Sequence, residues 1–162
     1  MFVEDAGWRS DQARDTGETV LWRPFIRVTR AGVWAGQTDN GNWMVGRPGR
    51  HVLPVDSLPG VVALLPLLER SMAQVAADLE VGSLAEHGLG LERVVAAALD
   101  ERSSAHWAAH AIAWLDAGFP AAEYQDALRR VLADKRISQR ARQAAGRILS
   151  SASLAATPDP SR

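Results

Sequence analysis

His106 and His110 stand four residues apart in the stretch SSAHWAAHAIAWLDAGFP, residues 103–120. On a helix that spacing puts two imidazoles on one face, one turn apart, where both can reach a single metal ion. A metalloprotease helix would also need a glutamate beside the first histidine, and Trp107 occupies that place. Zinc takes at least three protein ligands, so a third would have to come through the fold from His51, His87 or Glu123. The plainer expectation is a pair of half-buried, hydrogen-bonded histidines.

Other catalytic chemistry has no motif to carry it. With no cysteine there is no thiolate nucleophile, no disulfide and no cysteine-bound zinc or iron–sulfur cluster. There is no G-x-S-x-G elbow, and the single lysine, Lys135, follows Asp134 and not glycine, which excludes a Walker A loop. Asp39 in DNGN lacks the further carboxylates of a calcium loop. No cofactor is expected.

A stronger lead is charge. Between Arg129 and Arg147 there are seven basic residues, Arg129, Arg130, Lys135, Arg136, Arg140, Arg142 and Arg147, against one acid, Asp134, although the whole chain carries a net charge of −1. Two helices over 120–134 and 138–152, joined by a KRI turn, would mimic a helix-turn-helix with Ser138, Gln139 and Arg142 at the front of the second. Arg129, Arg130, Arg136, Arg140 and Arg142 are then the candidate contacts to nucleic acid or to a partner. Against this, the turn has no glycine and the last helix has a full apolar stripe, so its arginines also fit an ordinary solvated face. Arginine outnumbers lysine 17 to 1, a bias that suits a high-GC bacterial genome and is no sign of bidentate recognition.

These side chains need elements to hold them. Residues 103–120 read as a buried central helix: Ser103 or Ser104 caps its start, Trp107, Ala111, Trp114 and Leu115 keep one stripe, Gly118 ends it and Pro120 forbids continuation. Before it, residues 19–56 read as a three- to four-stranded antiparallel meander. Asn40-Gly41 predicts a two-residue hairpin loop that opposes Thr38 to Trp43. The preceding turn decides the faces. A two-residue loop at Ala31-Gly32 would gather Phe25, Arg27, Trp34, Trp43 and Arg47 into an exposed aromatic and arginine surface. A three-residue loop, Arg30-Ala31-Gly32, suits turn chemistry and alternation better. It opposes Thr29 to Val33 and puts Ile26, Val28, Trp34, Trp43 and Val45 on one face as core. Pro24 marks an edge or a bulge.

Helical periodicity covers the rest. Ser57 caps a stripe from Val61 to Leu79 that Pro66 interrupts, and Ser83 to Glu86 is a capping box. Leu91 to Leu99 starts the next helix. Pro120 opens one with Tyr124, Ala127, Leu128, Val131 and Leu132 inward, and Ser138 caps the last. At an offset of 34 residues, Asp100, Arg102, Ser104, Ala111 and Leu115 recur as Asp134, Arg136, Ser138, Ala145 and Leu149. In layout, residues 91–152 resemble the antiparallel helix pairs of HEAT-type α-solenoids, which implies a helical-hairpin repeat and no specific ligand.

The expected architecture is α+β: a loose arm over 1–18 with Trp8 docked on the core, the antiparallel sheet over 19–56, and a bundle of four to six helices over 57–154, the last as HEAT-like antiparallel pairs. One domain over 1–154 and a disordered tail over 155–162 complete it. The start has no secretory signal and no apolar run is long enough to span a membrane, so the cytoplasm is the expected compartment. By elimination, the expected function is a non-enzymatic protein-interaction module of the adaptor, regulatory or inhibitor/immunity type, able to dimerise through an edge strand. Nucleic-acid binding by the basic helix pair 120–152 and a metal-dependent enzyme at His106 and His110 are the alternatives.

Overall fold

A computed structural model describes residues 7–80, 84 and 88–155. The class is α+β: among the described residues five strands come first and six α-helices follow. The chain divides into two compact units, residues 1–94 and 95–162.

In the first unit, β1 (Arg9–Ala13), β2 (Thr19–Arg27), β3 (Trp34–Thr38), β4 (Trp43–Gly46) and β5 (His51–Pro54) form a closed barrel in sequence order. Every neighbouring pair is antiparallel except β1 with β5, which run parallel through Gln12↔His51 and Ala13↔Val52. That follows from counting: in a meander of alternating direction the first and fifth strands point the same way. Closure leaves neither β1 nor β5 with the open edge expected for strand-mediated dimerisation.

β1 lies in the stretch expected to be a loose arm. It was hidden because its inward residues are Asp11 and Ala13 and its outward ones Ser10 and Gln12. With Trp22, Trp34 and Met44 filling the barrel interior, the β1 positions that face it carry one small and one hydrogen-bonded side chain, and such a strand has no apolar alternation to read. Trp8, just before it, is half-buried.

Turn geometry changes the expected faces. At Arg30-Ala31-Gly32 the three-residue loop is as anticipated: the Thr29 amide donates to the Val33 carbonyl, the Gly32 amide donates to the Thr29 carbonyl, and Gly32 has φ +88°. The Val28 amide reaches the same Val33 carbonyl, so Val28 is bulged and Arg27, not Val28, opposes Trp34. A second irregularity falls between Pro24 and Ile26, at the place Pro24 marked. The Asn40-Gly41 expectation is overturned. The loop is Asp39-Asn40-Gly41, with the Thr38 amide donating to the Asn42 carbonyl and Gln37 opposing Trp43. A type I′ turn needs positive φ at both central residues; only Gly41 has it, at +81°.

This slip of one residue reverses Trp34 relative to Trp43. Trp34 faces the barrel interior with Val20, Trp22, Met44 and Val52. Ile26, Ala35 and Val45 form the row behind it, on the outer face, and are buried as well. Helices of the first unit pack against that side, α1 (Leu58–Leu64) against β4 and β5, and α2 (Met72–Asp78) against β2. The expected single apolar face is therefore split between two layers.

The Ser57 hydroxyl accepts from the Gly60 amide to cap α1, and Pro66 converts the next residues, Leu65–Glu69, into a 3₁₀ turn. The stripe expected to continue from there breaks again at Ser71, which forms a full capping box with Gln74 at the head of α2. Arg70 holds this corner, donating to the Arg27 carbonyl and pairing with Asp78. Ser83 and Glu86, the two ends of the expected capping box, lie outside the described residues. α3 (Leu91–Ala98) buries the predicted Leu91, Val94, Val95 and Ala98.

In the second unit, α4 (Ala105–Asp116) is capped by Ser104 and closed by Gly118 at φ +109°, the Phe119 amide donating to the Trp114 carbonyl. Ala108, Ala111, Ile112, Trp114 and Leu115 are buried, while Trp107 is half-buried and Ala113 exposed. α4 is therefore two-faced, not enclosed all round as expected. A 3₁₀ turn, Ala122–Tyr124, leads into α5 (Gln125–Ala133), which buries Leu128 and Val131 but leaves Leu132 exposed. α6 (Gln139–Ala155) packs against both α4 and α5 through buried Ala141, Ala144 and Ala145, and includes residue 155, where the tail was expected to begin. The rest of the expected tail, residues 156–162, lies outside the described residues.

The 34-residue recurrence has a structural counterpart. Asp100 accepts from the Arg102 amide and Asp134 from the Arg136 amide, each at 2.9 Å. Ser104 and Ser138 then cap α4 and α6 by accepting from the amides of Trp107 and Ala141. Among the described residues no single helix is long and apolar enough to cross a membrane.

Candidate functional site

The predicted basic end is partly compensated. Arg129 donates to Asp126 at 2.6 Å, Arg147 to Asp116 at 2.9 Å, and Arg136 to both oxygens of Asp134, at 3.0 and 3.1 Å from Nε and 2.7 Å from Nη2. Asp116 and Asp126 lie outside the window that holds only Asp134; helix geometry brings Asp126 to Arg129, and the packing of α6 on α4 brings Asp116 to Arg147. The guanidinium of Arg136 holds the Asp134 carboxyl below the ordinary carboxylate range, and Asp134 in turn raises Arg136. Arg130 and Arg140 are exposed and form no ion pair among the described residues. Arg142 is half-buried, with an enclosed Nε that has no hydrogen-bond partner. Of the five candidate arginines, Arg129 and Arg136 are ion-paired.

On α4, His106 is exposed and His110 half-buried, with ring centroids 4.7 Å apart and planes at 71°. Trp107 flanks both, its centroid 4.7 Å from His106 and 6.4 Å from His110. Glu123, the anticipated third ligand in the same unit, does not join them, and His87 lies outside the described residues.

The barrel carries a site that the sequence did not disclose. An open groove of about 570 Å³ has an apolar lining of Val33, Val45, Leu53 and Ala63 and a rim of Arg14, Arg47, Arg50 and His51. No carboxylate lines it. All four rim residues are exposed, and among the described residues none makes a side-chain ion pair.

Backbone bonds position these cations. The Arg14 amide donates to the Val52 carbonyl at 2.9 Å, extending the β1–β5 pairing and holding Arg14 beside β5. The Arg50 amide donates to the Arg47 carbonyl at 3.0 Å, closing the turn that carries both arginines. Asp11 anchors that turn: its Oδ1 accepts from the Gly49 amide and its Oδ2 from the Trp22 indole, each at 2.8 Å. Among the described residues it is the only buried charged or polar one, at 5% exposure. Its role is structural, since both oxygens are engaged inside the barrel.

Two other surfaces are less suited to recognition. A groove of about 740 Å³ beside Leu115 and Ile148 is larger, but its only charged residues, Asp116 and Arg147, already neutralise each other. On β2, Arg23 stacks over Phe25 at 5.3 Å and Phe25 lies 5.9 Å from Trp43, whereas Arg27 stacks over Trp34. The aromatic and arginine surface of the rejected register is thus divided between two faces.

The Arg47-Pro-Gly-Arg50-His51 turn is visible as a basic turn in the sequence. That it meets Arg14 depends on β1 being a strand and on the parallel closure. The chain matches no protein-family model, no curated protein and no solved structure.

Proposed function

We propose that the protein is a non-enzymatic interaction module whose barrel groove takes an acidic, amphipathic segment of a partner protein. The observation that carries this is the groove's combination of an apolar lining with four cationic or imidazole groups and no carboxylate. Apolar side chains of a partner gain about 25 cal/mol for each Å² they bury on such a lining. Arginines at the rim accelerate encounter with acidic chains and set their orientation. A single-stranded nucleic acid would want aromatic faces for its bases, and no Phe, Tyr or Trp lines the groove. Nucleic-acid binding on the helix pair 120–152 has weaker support, because Asp116, Asp126 and Asp134 engage three of its seven cations. The repeated Asp-x-Arg-x-Ser loops support reading α4 to α6 as HEAT-like pairs that serve as a rigid scaffold.

The test is fluorescence anisotropy with a labelled peptide of alternating Glu and Leu, against an oligothymidylate of the same charge. The peptide is expected to bind saturably, and R47E/R50E to weaken it by at least about tenfold, while R140E leaves it unchanged. Tighter binding of the oligothymidylate, peptide affinity unaffected by R47E/R50E, or no peptide binding would each overturn the proposal.

A further inference from the structure

We infer that His106 and His110 together bind a divalent transition-metal ion of the copper, nickel or zinc class. This is independent of the barrel groove. Ser104 caps α4 one residue before its first turn, so the helix is regular where both histidines sit. One turn of separation stacks the rings, and their nearest ligand nitrogens lie within 4.8 Å of each other. Two imidazole nitrogens held tetrahedrally at about 2.0–2.1 Å from one ion stand about 3.3 Å apart. Rotation of two side chains within their rotamer wells covers that difference.

The surroundings favour the same conclusion. His106 is exposed, so an ion has access, while His110 is half-buried and partly preorganised. The Trp107 ring, in contact with His106, supplies an apolar wall that excludes water from one side and strengthens ligation. Imidazole pairs suit copper, nickel and zinc over magnesium or calcium, which prefer oxygen, and copper leads the affinity order. No cysteine competes for the ion anywhere in the chain.

Trp107 also gives the assay. Bound Cu²⁺ quenches a nearby indole, and the difference between the wild type and Trp107→Phe isolates this one among six tryptophans. CuCl₂ titrated into the full chain, with glycine as competing chelator, is expected to quench Trp107 saturably at one equivalent. Electron paramagnetic resonance of that complex is expected to show two nitrogen ligands from imidazole. His106→Gln and His110→Gln should each weaken binding by at least about tenfold without lowering the metal-free melting temperature, and ZnCl₂ should raise the wild-type melting temperature. Should His110→Gln destabilise the fold, the exposed His106→Gln decides alone. Quenching that survives His106→Gln, a spectrum without imidazole nitrogen, or no saturable binding at micromolar copper would overturn the assignment.

Discussion

Replacing Asp11 by alanine is expected to destabilise the first unit by about 3 kcal/mol, a large part of the 5–15 kcal/mol typical of a domain. The carboxylate accepts from the Trp22 indole and the Gly49 amide, each at 2.8 Å, and is 5% exposed. Hydrogen bonds to a charged group are worth about 1.5–3 kcal/mol each, and a buried donor left without a partner costs about 1–3 kcal/mol. Relief of the carboxylate's own desolvation offsets part of this, which brings two lost bonds to about 3 kcal/mol. Asp11→Asn keeps one acceptor and should cost roughly half as much. Urea unfolding followed by tryptophan emission reports on it, because Trp8, Trp22, Trp34 and Trp43 all belong to the first unit. A cycle with Trp22→Phe should give a coupling of about 1 kcal/mol between the pair. A cost below about 1 kcal/mol for Asp11→Ala would refute the reasoning, because it would mean that water replaces the carboxylate inside the barrel. The same variant loosens the turn that holds Arg47 and Arg50, so groove binding should weaken even where the unit remains folded.

Three further outcomes are expected. Gly36→Ala should cost about 2–4 kcal/mol, since a Cβ there would sit 2.1 Å from the Arg23 carbonyl oxygen; Gly32→Ala, in open space at φ +88°, should cost only about 1 kcal/mol, and equal melting temperatures for the two would count against the barrel's close strand approach. Ser71→Ala removes the hydroxyl that accepts from the Gln74 amide and should cost about 1 kcal/mol by urea denaturation, as Ser104→Ala should at α4. The Asp134 carboxyl should titrate below its ordinary 3.8 by carbon-detected NMR and return towards it in Arg136→Ala. Because the folded value is lowered, this pair's contribution to stability is present above the unfolded value and lost as pH falls through the folded one. A titration unmoved by Arg136→Ala would dissociate the pair.

Local signals in the chain were enough for most elements of the fold. Ser57, Ser104 and Ser138 mark helix starts and Gly118 a helix end because capping depends on a side chain and a backbone group a few residues apart. The three-residue turn at Arg30-Ala31-Gly32 was legible for the same reason. The Ser71-x-x-Gln74 box is equally local but is masked in the sequence by the apolar stripe that continues through it.

What only the tertiary structure decided is non-local. A strand whose inward residues are Asp11 and Ala13 has no hydrophobic pattern, and it exists because β2 and β5 offer it backbone partners on both sides. One residue more in the loop at Asp39-Asn40-Gly41 reversed Trp34 relative to Trp43, since strand periodicity is two and register alone assigns the face. Asp116 neutralises Arg147 across 31 positions of sequence, so a count of charges along the chain overstated the basic end. The His106 and His110 pair was legible from spacing, being one turn of one helix. The arginine groove was not, because Arg14 and Arg47 come together only when the first and last strands of the barrel close on each other.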